Sequence, residues 1–431
     1  MNRKKILLAT CVAVCWAVSL VGQNLPAPKR AADVGLSSER LARLTNFFQG
    51  EIDNETIPGA TLLIARDGKL AYFQTVGFQD REKKIPMKSD AIFRIFSMTK
   101  PITSVAVMML AEEGKIDLLA PVSNYLPEFK NVKVGVEKID PATNKPSLAL
   151  EDSQRQMTVQ DLLRHTSGLV YGPFGNSLVH QIYNKSNLFD PNQTLAEFVT
   201  KLSKLPLAHQ PGSAWEYGMS TDVLGRIVEV VSGMPFDQFV ENRITKPLGM
   251  RDTAFYLTAA QAPRLAEPQI DRATGKRPAV STAENLNKEK LKWFSGGGGL
   301  LSTAPDYARF CQMLLNGGEL DGVRLLSSKA LAVMTSDQIP PGIPRSGYED
   351  MAPTLELGQG FGLGFAVRTD VGHNPLSGSV GQYFWAGAFG TYFWVDPREK
   401  LFAILMVQMP FEQSGPYRRA FRELVYGALL H

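Results

Sequence analysis

The chain has 431 residues, 44% of them hydrophobic, with 46 Lys and Arg against 42 Asp and Glu. That length and apolar content suffice for two or three domain-sized bodies, or one domain with a large insertion, and exclude disorder and collagen-like repetition. Arg3, Lys4 and Lys5 supply three of the net +4 charges, so the remaining body at +1 has no electrostatic ground for binding nucleic acid or anionic lipid.

Asn2 to Lys5 is a basic stretch and Ile6 to Val21 an apolar one. Together they predict a signal peptide over residues 1–22, export to the periplasm or beyond, and no stable membrane insertion after cleavage. The apolar run falls short of the ~20 residues that span a bilayer comfortably, and no later segment is longer. Cys11 and Cys15 leave with this segment, so Cys311 stands alone and no internal disulfide forms. It lies in an amphipathic stretch, Tyr307 to Leu315, and reads as a small buried hydrophobe.

After a linker from Pro26 to Ala32, Ser37 caps a helix with Leu41, Leu44, Phe48 and Ile52 on one face. Thr61–Arg66 and Lys69–Gln74 flank Asp67-Gly68, a dipeptide that favours a tight antiparallel turn. Ser97 to Glu113 is apolar over most of its circumference and is stopped by Gly114, which predicts a buried helix. Helical patterns follow at Thr158–Arg164, Leu195–Leu202 and Thr221–Val231, separated by long polar loops. Near the end, Tyr383–Trp385, Thr391–Val395 and Leu401–Val407 read as strands and Tyr417–Leu430 as a helix. The expected fold is therefore α+β: an antiparallel sheet formed from both chain ends and flanked by helices, with a large, mostly helical insertion. Residues 33–115 and 297–431 would form the α/β body and 116–296 the insertion, with a cleft between them.

Ser97-Met98-Thr99-Lys100 puts a hydroxyl and an amine three residues apart, on one face of the buried helix near its first turn. That spacing lets the amine take the hydroxyl proton as Ser97 attacks a carbonyl. Burial and the positive helix terminus both disfavour an ammonium there, so Lys100 can serve as a free base. The Ser97 backbone N–H, among the unpaired donors of a helix start, can stabilise an oxyanion. About one Ser-x-x-Lys is expected by chance in a chain this long, and a capping Ser with a snorkelling Lys explains an isolated one equally well. Two further segments add weight. Tyr217, after the Pro211-Gly212 turn, can relay a proton through its phenol, although an isolated Tyr more often simply packs. Trp385-Ala386-Gly387-Ala388 offers small residues on a strand, where backbone approaches a ligand closely.

In this order, the three segments resemble the serine hydrolases of the class C β-lactamase and penicillin-binding-protein superfamily, most closely the family VIII carboxylesterases. Phe93–Pro101, Leu162–Leu169, Gly296–Thr303 and Gly390–Pro397 look like further landmarks, so the resemblance spans nearly all of the mature chain. It implies that Ser97 is the acylated nucleophile, Lys100 its base and Tyr217 the proton shuttle. It also implies an oxyanion hole at the Ser97 and Ala388 amides, with Trp385 and Gly387 beside the substrate. In enzymes that carry a Ser-x-x-Lys signature the identity of the acylating base is disputed, and here it stays open between Lys100 and Tyr217. Two departures matter. The β-lactamases usually carry Tyr-x-Asn, whereas Met219 stands here, and they carry Lys-Thr-Gly where this chain has Trp385-Ala386-Gly387. Without that Lys, an anionic substrate carboxylate loses its partner, so among small-molecule ester or amide substrates the expected activity is cleavage of uncharged carboxylic esters, with at most slow β-lactam turnover.

No Gly-x-Ser-x-Gly elbow supports a Ser-His-Asp hydrolase, and His165 reads as structural. No His-Glu-x-x-His occurs and the five His are scattered, so neither a metal nor another cofactor is expected. A β-lactamase, a D-stereospecific peptidase or an acyltransferase would use the same intermediate. The non-enzymatic alternative is a silent cell-wall-binding module, which has no physical need for Ser97, Lys100 and Tyr217 together.

Overall fold

The structure is a computed structural model that describes residues 25–26, 30–142, 144–271, 274–278, 291–346 and 358–430. The expected signal peptide lies outside them, as do Cys11 and Cys15. Among the described residues, no helix is long and apolar enough to cross a membrane.

Eight strands form one sheet: β1 Gly59–Arg66, β2 Lys69–Asp80, β3 Ile85–Pro86, β4 Gln359–Phe361, β5 Ala366–Arg368, β6 Tyr383–Ala386, β7 Tyr392–Asp396 and β8 Leu401–Met406. Their order is β4-β5-β6-β7-β8-β1-β2-β3, and every neighbouring pair is antiparallel. The join between the two ends of the chain is the β1–β8 pairing, in register from Thr61 opposite Met406 to Arg66 opposite Leu401. At the β1–β2 turn, Asp67 and Gly68 both have positive φ, 51° and 71°, the geometry whose twist matches the strands it joins.

Both faces of this sheet are covered. Helix α1, Ser38–Asp53, is capped by the Ser37 hydroxyl, which accepts from the Arg40 amide at 3.3 Å. It buries Leu41, Leu44, Phe48 and Ile52, the stripe expected from the sequence. The Phe48 ring meets Phe421 at 6.2 Å, and Phe421 meets Trp394 of β7 at 5.4 Å. On the preceding residue of β7, Phe393 points to the other face and meets Tyr307 at 5.0 Å. This alternation is the two-residue period of a strand, and each fully buried ring contributes about 1.5–3 kcal/mol through burial alone. Cys311 lies fully buried on the same helix as Tyr307, Ala304–Leu315, and burial pushes its thiol well up. It is the small hydrophobe that its surroundings in the sequence suggested.

Two expectations change. The last helix starts at Phe411 and ends at Tyr426, with Pro416 as its sixth residue, where it gives up one main-chain bond and the helix nevertheless continues. A start at Tyr417, after that proline, is too late. In the middle of the chain, Lys133–Ile139 and Pro146–Asp152 pair as an antiparallel hairpin in place of the expected helices and loops. Much of that hairpin is exposed, Ile139 and Leu150 each at 60%, so its apolar residues do not mark out one buried face.

The helix that positions the chemistry is α2, Thr99–Glu112, in which Thr99 through Leu110 are all buried. It packs on α3, Ser220–Ser232, and ends where Gly114 takes a φ of 70°. Ahead of α2, Phe96–Met98 form one tight turn of 3-10 helix, so Ser97 precedes the α-helix rather than capping it.

Candidate active site

Ser97 stands on a constrained turn. Phe96, before it, has a φ of 43°, a conformation that costs a bulky residue of order 1–3 kcal/mol and lasts only where the surroundings enforce it. Here the enforcement is visible. The Phe96 ring stacks on Phe389 at 4.9 Å, and the Ile95 carbonyl accepts a bond from the Thr391 hydroxyl at 3.4 Å. A side chain on Gly387 would lie 2.1 Å from Thr391 Oγ1 and 2.3 Å from the Ile95 oxygen, so only glycine lets the end of β6 press against the serine turn. Arg418 Nη2 donates to the Gly387 carbonyl at 2.5 Å, tying down the peptide that carries the Ala388 amide.

Ser97, Lys100 and Tyr217, separated by up to 120 residues, converge on one oxygen. Ser97 Oγ lies 3.3 Å from Lys100 Nζ and accepts from the Tyr217 hydroxyl at 2.7 Å. Lys100 is 1% exposed. Its amine also donates to the Gly297 carbonyl at 2.7 Å and to the Tyr171 hydroxyl at 3.2 Å. The rings of Tyr217 and Tyr171 lie 4.7 and 5.3 Å from the nitrogen. Loss of water pushes the amine down to about 7, and the nearby Asp222 carboxylate opposes part of that shift. Three partners suit a neutral amine, which has two N–H groups to give to Gly297 and Tyr171 and one lone pair to turn towards the Ser97 proton.

The phenol moves the other way. Burial pushes Tyr217 well up, with Asp222 adding to it, while bonds to Ser97 and the Trp385 indole pull it partly back. Tyr217 therefore remains a phenol at neutral pH, whereas a large fraction of Lys100 has lost its proton. That contrast favours the amine as the basic partner of Ser97 and the phenol as the donor, the choice the sequence left open.

Trp385 is 3% exposed, its ring 5.3 Å from those of Tyr217 and Phe361. It therefore packs against the phenol. The partly exposed rings around the site are others, Phe174 stacked 6.1 Å from Tyr217, Phe189 stacked 6.3 Å from Tyr171, and Phe389. Met219, where the β-lactamases usually carry asparagine, is buried at the start of α3. His165 is buried, its ring 5.0 Å from Tyr217, and its Nδ1 accepts from the Gly218 amide at 3.4 Å. Burial and the nearby Lys100 hold that imidazole well below its usual range, so it is neutral and packs beside the site without titrating.

Sequence reasoning missed Tyr171, Asp222 and the Gly297 carbonyl. Asp222 accepts from Ser295 Oγ at 2.6 Å and from the Gly297 amide at 3.2 Å. A side chain on Gly297 would meet that carboxylate at 2.3 Å. The Gly296–Gly299 run was the available signal: such a run lets backbone sit where side chains normally would, here against an amine and a carboxylate at once. Among the described residues, no group of His, Cys, Asp and Glu is arranged to hold a metal ion.

Comparison with known proteins gives a consistent result. The Beta-lactamase family model matches residues 44–426. Protein Rv1367c of Mycobacterium tuberculosis is 34% identical over 83% of this chain and 87% of its own length. Esterase EstB of Burkholderia gladioli is 30% identical over 89% of this chain and 95% of its own. Among solved structures, EstCE1, described as a hydrolase with promiscuous acyltransferase activity, superposes with a TM-score of 0.73 at 26% identity, covering 90% of this chain and 98% of that one. The chain belongs to the β-lactamase family, with the β-lactamase/transpeptidase-like fold, and is a serine hydrolase.

The Gly387 contact generates a prediction. Gly387→Ala should lower the unfolding free energy by about 1–3 kcal/mol, as overpacking does, and lower hydrolytic activity far more than that loss of folded protein explains. Denaturant melts and steady-state rates on the folded fraction check it, and normal activity would show that the β6 contact does not shape the site.

Proposed function

We propose that this chain cleaves uncharged carboxylic esters through an acyl-Ser97 intermediate. The observation that carries this reading is the single oxygen, Ser97 Oγ, held between a buried amine and a buried phenol.

In this mechanism Lys100 takes the Ser97 proton while Oγ bonds to the ester carbonyl carbon. The carbonyl electron pair moves onto its oxygen, which the Ser97 and Ala388 amides receive. As the tetrahedral centre collapses, the bond to the alcohol oxygen breaks and Tyr217 gives that oxygen its proton. The Lys100 ammonium replaces the phenolic proton, leaving acyl-Ser97, a neutral amine and a free alcohol. Water then attacks the acyl carbon and its proton passes to the neutral Lys100, Tyr217 taking one proton and giving up another as the relay. The tetrahedral centre collapses, the bond from carbon to Ser97 Oγ breaks, the acid leaves, and the Lys100 ammonium returns its proton to Oγ. Every proton taken is returned, so the groups finish each cycle as they began it.

The choice of ester rests on charge and on the surrounding rings. Trp385 stands where β-lactamases carry the Lys of Lys-Thr-Gly, and Phe174, Phe189 and Phe389 offer apolar surface near Ser97. A neutral acyl or alcohol group suits that environment better than a carboxylate would. The similarity to esterase EstB supports the same choice. EstCE1, a hydrolase that also transfers acyl groups, supports a second reading in which an alcohol resolves the intermediate in place of water. The basic and apolar stretches of residues 1–22 support an activity exercised outside the cytoplasm.

A fluorophosphonate probe followed by mass spectrometry should label Ser97 in the wild type and nothing at that site in Ser97→Ala. Folded wild type without label would show that Ser97 is not the nucleophile. On substrates, hydrolysis of short-chain p-nitrophenyl esters should exceed nitrocefin turnover by orders of magnitude. Equal rates would show that the absence of that lysine does not disfavour β-lactams in the way proposed.

A further inference from the structure

Glu216 precedes Tyr217 and takes no part in the proton path. Its carboxylate is nevertheless buried, 3% exposed, and both oxygens are engaged by imidazoles. His180 Nε2 lies 2.8 Å from Oε1, and His209 Nε2 bonds Oε2. Burial works to raise the Glu216 carboxyl, but the two histidine bonds overcome it and hold it at about 2. His180 comes from the helix Leu178–Lys185, where its Nδ1 pairs with Ser177 Oγ at 2.7 Å. His209 comes from the loop before Pro211. Three separate stretches of chain therefore meet at the residue beside the phenol.

The backbone is gripped from the other side. The Glu216 amide donates to the His165 carbonyl at 2.9 Å, and the Gly218 amide to His165 Nδ1 at 3.4 Å. Residues 216 and 218 are thus both fixed, with Tyr217 between them. A buried charge network of this kind is weak as a source of stability, since well-packed apolar residues often do as well. What it adds is orientation, and the side chain next in the sequence is the one whose hydroxyl must meet Ser97 Oγ at 2.7 Å.

We infer that Glu216, clamped between His180 and His209, is a positioning residue that holds the Tyr217 phenol on Ser97 Oγ. This rests on the proposed role of Tyr217 in the esterase mechanism.

The test is a double-mutant cycle on a p-nitrophenyl ester, with kcat and KM measured for Glu216→Ala, Glu216→Gln, Tyr217→Phe and the Glu216→Ala/Tyr217→Phe double variant. Tyr217→Phe should cost about 10²-fold in kcat, as loss of a proton-transfer group does. Glu216→Ala should cost about 10-fold in kcat with KM nearly unchanged, less than the ~10²-fold that an ångström of misplacement brings. Glu216→Gln keeps the shape and an acceptor and should restore most of that loss. In the Tyr217→Phe background, Glu216→Ala should cost nothing further, because there is no phenol left to position. The same 10-fold loss in both backgrounds, or a fully active Glu216→Ala, would overturn the inference while leaving Tyr217 in the mechanism. A fully active Tyr217→Phe would overturn both. If Glu216→Ala does not fold, His209→Ala, whose side chain is 32% exposed, replaces it in the same cycle with the same decisive outcomes.

Discussion

The proposed chemistry depends on the desolvation of one amine. A lysine in water holds its proton to about pH 10 and cannot accept another from a serine. In this chain the amine sits at the start of a helix buried on all sides, between two tyrosine rings, and falls to about 7. Asp222 keeps the fall from going further. Its own carboxyl is pushed up by burial and steadied by Lys100, Ser295 and the Gly297 amide. A weaker opposing charge would leave an amine too poor a base, and an exposed one would leave it always protonated. The pair sets the working range between those limits.

The fold keeps that arrangement dry and fixed. The sheet carries β6 to the serine turn, and Gly387 lets the two backbones touch. Helix α3 brings Asp222 and, just ahead of it, Tyr217. The Gly296–Gly299 run closes the far side with a carbonyl that can only accept, which gives Lys100 a permanent partner in either protonation state. Strain at Phe96 is the local cost of presenting Ser97 on so short a turn, and the Phe389 stack and the Thr391 bond hold it there.

Much of this was legible in the sequence because it is local. The Asp67-Gly68 turn, the capping Ser37, the all-round apolar face of α2 and the Ser97–Lys100 spacing are each written within a few residues. Five of the eight main-sheet strands, β1, β2, β6, β7 and β8, read as runs rich in apolar residues, whereas β3, β4 and β5, two or three residues each, are too short to show a pattern. What escaped is tertiary. Nothing near Tyr171 or Asp222 in the sequence marks them as neighbours of Lys100. Their roles come from helices and loops packed together from distant segments. The start of the last helix escaped because a Pro at the sixth position of a helix, as Pro416 is, ordinarily breaks or ends it. The hairpin of 133–152 escaped because most of it is exposed, so its apolar residues, Ile139 and Leu150 among them, do not line one buried face.

In the proposed mechanism Lys100 is a base at neutral pH. Protein labelled with ε-13C lysine, titrated by NMR and assigned by comparison with Lys100→Arg, measures it directly. One lysine resonance should titrate with a midpoint near 7 and be absent from the variant, and acylation of Ser97 should accelerate over the same range as pH rises and the amine loses its proton. A Lys100 resonance that stays protonated to about pH 10, the ordinary lysine range, would contradict it.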